Sequence, residues 1–465
     1  MRVILCLLTA LVVVTPASGE LQAGAAVADV TPLEWPVRIV GGFTPIFADR
    51  GHDPLMARAI VLANNGKKLA IAVVDSCYIK RWVLDQAKRQ AQETTGIPSD
   101  HMLIAATHTH SAPPSSPLHP TEPEARYQRY LEKQIASAII QANDRLQPAE
   151  IGWAVRDVPE ELFNRRWFKK PGTIPPNPFG ETTDQVQMNP GSADLVRPAG
   201  PTDPQFWVVS VRSRSAKPLT LLGNYSLHYV GGVPSDEVSA DYFGEFARIM
   251  AQRQAPGRGD PPFVAILSNG TSGDVNNINF RQPRGKKAPY ERIREVATRM
   301  ANEAEGALQK ITYRRDVVLE AAQRELPLQY RKPTAEQLAQ ARAVLAEPDE
   351  SKLPRRAKAY AERVVRLHEG PDYADALLQT LRIGDLGIAA VPFEVFTETG
   401  LEVKSKSPLQ PVFTMELANG HYGYLPTPEQ HKLGGYETWM GTNLVEIGAS
   451  IKITGTILDL FRSLR

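Results

Sequence analysis

Short apolar runs rich in β-branched residues recur through this chain, separated by segments of helical period. ARAIVLAN (57–64) and LAIAVVDSC (69–77) flank the turn signal NGKK and read as a hairpin. LQAGAAVADVTP (21–32), HMLIAAT (101–107), WVVSVRS (207–213), LTLLGNYSLH (219–228), FVAILSNG (263–270), VVLEAAQRELPL (317–328), LLQTLRIGDLGIAAVPFE (377–394) and VFTMELANG (412–420) supply further strands. Between them, residues 81–95 (Trp82, Val83, Ala87, Ala91), 123–147, 290–311 and 449–464 read as helices. The order predicts an α/β fold: mixed β-sheets flanked by helices in a single large domain over 20–465. Residues 334–368 read as two polar helices forming a surface excursion. Residues 160–205, rich in Pro, Gly and Asn, read as an irregular loop of a length usually kept for function. There is no internal repeat.

A net charge of +2 gives no basic excess for nucleic acid and no acidic tail. The 38 prolines are scattered among apolar segments, which points to ordered loops and not to low complexity. The chain opens MRVILCLLTALVVVTPASGE: Arg2, an apolar run from Val3 to Val14, then Ala17-Ser18-Gly19. This pattern predicts a cleaved signal peptide at 1–19, and so a secreted or periplasmic, soluble mature chain. Cys6 leaves with the signal, so Cys77 stands alone, packed in an apolar strand with no intrachain disulfide.

Several predicted strands end in polar residues: His108 and His110 after HMLIAAT, His228, Glu394, and Tyr422/Tyr424. Ligands gather at the carboxyl ends of strands in α/β sheets. Imidazole nitrogen and carboxylate oxygen suit a zinc-like divalent ion. In an extended His-Thr-His the two imidazoles point to opposite faces. Only one then meets a given ion, unless the chain bends; its neighbour is left for substrate or a developing negative charge. A single histidine at a strand end is more often a hydrogen-bonded structural residue, so the metal reading rests on the set. HExxH, GxSxG, P-loop and GxGxxG patterns are absent, and HEGPD (368–372) lacks a second histidine. Arg258-Gly259-Asp260 reads as an ordinary turn.

Six segments in order resemble the catalytic domain of the neutral/alkaline non-lysosomal ceramidase family: GIPSDHMLIAATHTHSAP (96–113), NRRW (164–167), HYVGGVPSDEVSADYFGEFA (228–247), SNGTSGDVNN (268–277), VPFEVFTETG (391–400) and LANGHYGYLPTPEQHKLGGYET (417–438). The resemblance implies a zinc amidase with His108, His228, Glu394 and Tyr424 as ligands. It places His110, Arg165 and Tyr436 around the substrate, where they can stabilise a tetrahedral oxyanion. Asp274 then either orients a ligating histidine or bonds its own turn; Asp241 and Asp75 pose the same question. Asn276 stands where the family has a serine assigned to substrate, and its amide can hydrogen-bond there.

Other departures bear on substrate. Phe393 adds bulk beside Glu394, and His421 replaces the first tyrosine of the loop. Family members that act on ceramide continue into a C-terminal β-sandwich domain, expected to be missing here. Phe163, Trp167, Phe168 and Phe179 can line an apolar slot, or Lys169, Lys170 and Asn177 a polar cleft. The expected activity is a secreted zinc-dependent hydrolase that uses zinc-activated water to cleave the amide of an N-acyl lipid or another N-acylated small molecule. An ester or acyl-sugar hydrolase and a non-catalytic metal-stabilised binding protein are the alternatives. Nucleic acid is not an expected partner; peripheral membrane contact and oligomeric state are left open.

Overall fold

The computed structural model describes residues 20–42, 46–115, 121–255, 262–282 and 285–465. The expected signal peptide at 1–19 and the expected turn at Arg258-Gly259-Asp260 lie outside them. Eight strands form the larger sheet: β1 (Gln22–Asp29), β2 (Met56–Asn64), β3 (Lys67–Val74), β4 (Met102–Ala106), β5 (Gln147–Asp157), β6 (Gln205–Ser213), β7 (Pro218–Tyr225) and β8 (Val264–Asn269). Their order is β8-β7-β6-β5-β1-β2-β3-β4. Only the two edge pairs, β7/β8 and β3/β4, are parallel. The smaller sheet runs β9 (Leu319–Gln329), β10 (Tyr373–Ile383), β11 (Leu386–Val391), β12 (Val412–Glu416), with β11/β12 parallel.

Period-2 alternation in these strands gives each sheet two apolar faces. Ile60, Leu62, Ile71, Val73, Trp207 and Ile266 of the larger sheet meet Leu381, Ile388, Phe413 and Met415 of the smaller one in a shared core. The alternate residues Val61, Ala70, Ala72 and Val74 pack under α1 (Arg81–Thr95) and α2 (Glu122–Asp144). Phe206, Val208 and Leu267 pack under α3 (Asp241–Gln254) and α4 (Glu291–Leu308). The far face of the smaller sheet is covered by Val403 of α7 (Thr397–Lys406) and by Ile453, Ile457 and Phe461 of α8 (Ala449–Ser463). The predicted α/β class is what the four layers show.

Local differences have local causes. The helix expected over 123–147 begins at Glu122, because Thr121 and Glu124 form a capping box, and it ends at Asp144. Pro148 does not stop the helix; it belongs to β5 and sits opposite Gln22. The 160–205 segment is not uniformly irregular. Arg166–Lys169 pairs with both Val186–Met188 and Leu195–Pro198. The helices α5 (Ala335–Ala346) and α6 (Ala357–Glu369) are more than a surface excursion: Tyr360 is fully buried and bonds Thr442, edge-on to Trp439. Among the described residues no helix is long and apolar enough to cross a membrane.

The two edges of the larger sheet are brought together across β12. Ala106 N–H donates to Leu417 O on the β4 side, and Asn224 Nδ2 donates to Thr414 O on the β7 side. The candidate site forms at this seam.

Candidate metal centre

β4 ends at Ala106 and the chain turns at once. His108 takes φ 76°, the left-handed region, and its N–H donates to Ser76 O. The segment is not extended: the chain bends, which was the condition for both rings to face one point. His110 Nε2 lies 3.2 Å from His108 Nε2, and the His110 ring stacks on Tyr229 with centroids 3.7 Å apart. Cys77 is not inside a strand either. It lies past the end of β3, buried, with its sulfur 3.9 Å from His108 Nδ1.

His228 lies three residues beyond β7, and its ring meets that of His108: the two Nε2 atoms are 3.0 Å apart. Glu394 follows β11 and pairs in register with Tyr424 in a short parallel bridge. Its Oε2 lies 3.3 Å from His108 Nε2 and 3.9 Å from His228 Nε2. The ligand atoms of His108, His228 and Glu394 all fall within 4.8 Å of one another, and all three residues are buried.

The hydrogen bonds on the far side of each ring fix what faces inward. His108 Nδ1 lies 2.7 Å from Cys77 O, and His228 Nδ1 lies 3.1 Å from Ser272 O. A carbonyl only accepts, so each Nδ1 carries the proton and, in the neutral ring, each Nε2 presents a lone pair. Two lone pairs and a carboxylate oxygen then converge, and Glu394 Oε2 has no hydrogen-bond partner. Burial opposes a charge on His108, but the Glu394 carboxylate outweighs it and holds the imidazole well above its ordinary pKa. Burial and the neighbouring His108 push His110 and His228 well below theirs. One proton on His108 answers only part of this arrangement. A divalent cation answers all of it, and two nitrogens with one carboxylate oxygen suit zinc.

Arg165 is held beside these groups by the short strands of 163–169. Its N–H donates to Asp274 O (2.8 Å), and NH1 lies 3.2 Å from His228 Nε2. Arg165 Nε and Arg166 NH1 both donate to Glu437, which is fully buried. The Arg165 guanidinium lies over the Tyr424 ring, 5.2 Å from its centroid, and the Tyr424 and Tyr436 rings are 5.7 Å apart. Burial, with Glu394 beside it, drives the Tyr424 hydroxyl well above its ordinary pKa.

The remaining predicted residues fall elsewhere. Asp274 orients no histidine: its carboxylate accepts from Asn164 Nδ2 and from Thr397 N–H and Oγ1, tying the Arg165 segment to the start of α7. Burial pushes it up to about 6. Asp75 is paired with Arg58, and Asp241 accepts the N–H groups of Val230, Gly231 and Tyr242. Asn276 donates to Asn189 Oδ1 and accepts from Ile278 N–H. Tyr422 turns away to Asp375 O. His421 Nε2 lies 3.3 Å from Glu394 Oε1 and its ring stacks on Tyr78, so it is a polar contact of the candidate ligand.

Three residues were missed. Ser272 sits against His228 Nδ1 (Oγ at 3.3 Å) and donates to the fully buried Glu416, which also accepts from Val395 N–H. Glu437 holds both arginines. Nothing local in the sequence marks Ser272 or Glu416. Glu437 stands in the YET segment beside Tyr436, which was the only available signal.

A cleft of about 600 Å³ opens on Arg165, His228 and Tyr229. Its walls include Asn189, Asn276 and Gln282, with Phe280 as an apolar element. The four aromatic residues expected to form an apolar slot do not line it. Trp167 is buried, Phe168 lies under Arg197, and Phe179 belongs to another cavity.

No protein-family model matches the chain. The neutral ceramidase of Pseudomonas aeruginosa superimposes with a TM-score of 0.69 at 19% identity, covering 96% of this chain and 74% of that one. The fold is that of the neutral ceramidases. A ceramidase complexed with C2 gives the same TM-score at 17% identity, over 96% of this chain and 75% of that structure. Neutral ceramidase A of Dictyostelium discoideum is 25% identical over 289 residues, which make up 58% of this chain and 38% of that relative. The match thus spans well under half the length of that curated protein. The neutral ceramidase-like resemblance read from the motifs is borne out by these similarities. In this ceramidase-like chain the resembling segments carry residues of the candidate site: HTH gives His108 and His110, VPFEVF gives Glu394, and HYGY gives Tyr424.

Proposed function

We propose that this protein is a zinc-dependent hydrolase that cleaves the amide bond of an N-acylated compound. One observation carries the reading: the buried, mutually unsatisfied convergence of His108, His228 and Glu394 in a neutral-ceramidase fold. Tyr424, paired with Glu394, is the fourth candidate ligand. When bound, zinc supplies Lewis-acid polarisation of a carbonyl and lowers the pKa of water to about 7. The chain's own residues do the rest. Arg165 keeps a guanidinium, anchored by Glu437, beside the reacting centre, where it meets the charge that develops on a carbonyl oxygen. His110, neutral and stacked on Tyr229, can take or give a proton through Nε2. Tyr436 packs behind Tyr424 and closes the site on that side.

The amide-bearing wall of the cleft favours an acylated compound with a polar head over one that is apolar throughout. In that position Asn276 positions Asn189 and the cleft wall and does not act as a nucleophile. The signal sequence at 1–19 supports action in a secreted or periplasmic setting. The test pairs elemental analysis of the purified mature chain with a turnover panel of N-acyl lipids, N-acyl amino acids and acylated amino sugars. About one zinc per chain, lost in His108→Ala, with amide turnover lost in parallel, is the expected result. A wild-type chain that takes up no zinc when zinc is supplied would sink the mechanism. A zinc-loaded chain that turns over esters but no amide would move the reaction class.

A further inference from the structure

A second cavity, of about 480 Å³, lies between α5, α6 and the segments 177–184 and 428–440. It shares Arg165, His228 and the other cleft residues with no part of its wall. Most of that wall is apolar: Phe179, Val344, Ala361, Val364, Trp439 and Met440. Ala361, Val364 and Met440 also belong to a small hydrophobic cluster of the helix pair, with Phe179 and Val344 packed against it.

Polar groups interrupt this lining, among them the cations Arg331 and Lys432 and the imidazole of His431. Arg331 donates through NH1 to Thr438 O (2.7 Å) and Asn443 Oδ1 (3.0 Å). Among the described residues no carboxylate lies within ion-pair distance of its guanidinium, and burial lowers its pKa with no acid opposing the shift. Arg331 is half-buried, and a cation drawn partly out of water without a counter-charge is costly to keep. Across the cavity, His431 Nε2 is buried with no hydrogen-bond partner. Glu181 and Asp184 also reach the cavity, but each is engaged, Glu181 by Asn177 Nδ2 and Asp184 by Trp439 Nε1.

We propose that this cavity is a second binding site, for an amphiphile with a carboxylate head and an aliphatic body. The body lies along the apolar wall of α5 and α6, and the carboxylate accepts from the free side of the Arg331 guanidinium. The volume falls in the range of about 300–1,000 Å³ usual for small-molecule sites. The site gives the helix pair a role that a solvated excursion lacks. It also adjoins the metal centre through Trp439, whose ring lies 5.9 Å from that of Tyr436.

The test uses the mature full chain and a fluorescent aliphatic carboxylate, with laurate and methyl laurate as competitors. The expected result is saturable binding that laurate displaces and methyl laurate does not. Arg331→Gln weakens it by about tenfold or more, as loss of a charge-assisted contact should. Val344→Trp, at a half-buried position on the cavity wall, fills the space and abolishes it. His108→Ala keeps binding intact, since a probe lodged in the metal-side cleft would respond to that change. Absence of saturable binding, displacement by the methyl ester as effective as by laurate, or affinities of both cavity variants within about twofold of the parent would overturn the proposal.

Discussion

The HTH turn works through a backbone angle. His108 and His110 face one point because His108 adopts a positive φ, secured by its N–H bond to Ser76 O. Residue types showed that strand ends carry imidazoles and a carboxylate, and those positions were legible in the sequence. The bend was not, since it depends on a partner from another strand. Ser272, Glu416 and Glu437 were illegible for the same reason: each acts through a contact made only in the folded chain. Arg165 was accessible through family resemblance alone. Its removal is the sharpest test at this scale. Arg165→Met should lower kcat about 10²–10³-fold while zinc content stays near one per chain. Ser272→Ala should weaken zinc binding about 10–100-fold, measured by competition with a chromophoric chelator, because His228 loses part of its orienting contact.

A different residue gives a pH signature away from the metal. Lys88 is fully buried, with Asn419 Oδ1 at 2.8 Å as its side-chain partner, and burial lowers its pKa to about 8. The folded state thus favours the neutral amine more than the unfolded state does. The group's stabilising contribution is full above its unfolded value of about 10.5 and is lost as pH falls through about 8. The difference in Tm between wild type and Lys88→Met should therefore narrow between those values, with the variant relatively more stable near neutrality. Parallel melting curves at several pH values check it; a constant difference would mean that Lys88 stays charged in the fold.

At the scale of elements, the site depends on how closely segments approach. A Cβ on Gly273 would lie 2.6 Å from the carbonyl oxygen of Glu394, so this turn can lie against the Glu394 backbone only as glycine. Gly273→Ala should displace Glu394 and cost both stability and zinc occupancy; a crystal structure and metal analysis together would show it. Strands and helices were largely legible, because period-2 and helical patterns mark them wherever one face is buried. The short strands of 163–169 and 186–198 were not. Phe163-Asn164 pairs with Val275-Asn276 and 166–169 pairs with both 186–188 and 195–198, and no periodicity develops over so few residues. The helix pair was placed correctly in the sequence and misjudged in role, since its polar composition hides the buried Tyr360.

For the whole molecule, the metal centre joins the two sheets. His108 follows the edge strand β4 and His228 follows β7, next to the opposite edge of the larger sheet, while Glu394 comes from the smaller sheet. An ion held by all three, as proposed, would stabilise the assembled seam and have no equivalent in the unfolded chain. Chelation should lower Tm, with zinc restoring it; at a free concentration of about 1,000 Kd the linkage is worth about 4 kcal/mol. A Tm indifferent to chelator would place the ion, if any, outside this seam.

The seam across β12 also sets an order of events. The residues that meet there, His108, His228 and Glu394, are 120 or more positions apart in the chain, and contacts that close long loops are slow to form. If the candidate site takes zinc as proposed, zinc capture reports completed folding. In refolding followed by a zinc-sensitive dye, uptake should lag behind the recovery of secondary structure. A chain delivered unfolded to its compartment would take its metal from that compartment's supply and not from the place of synthesis.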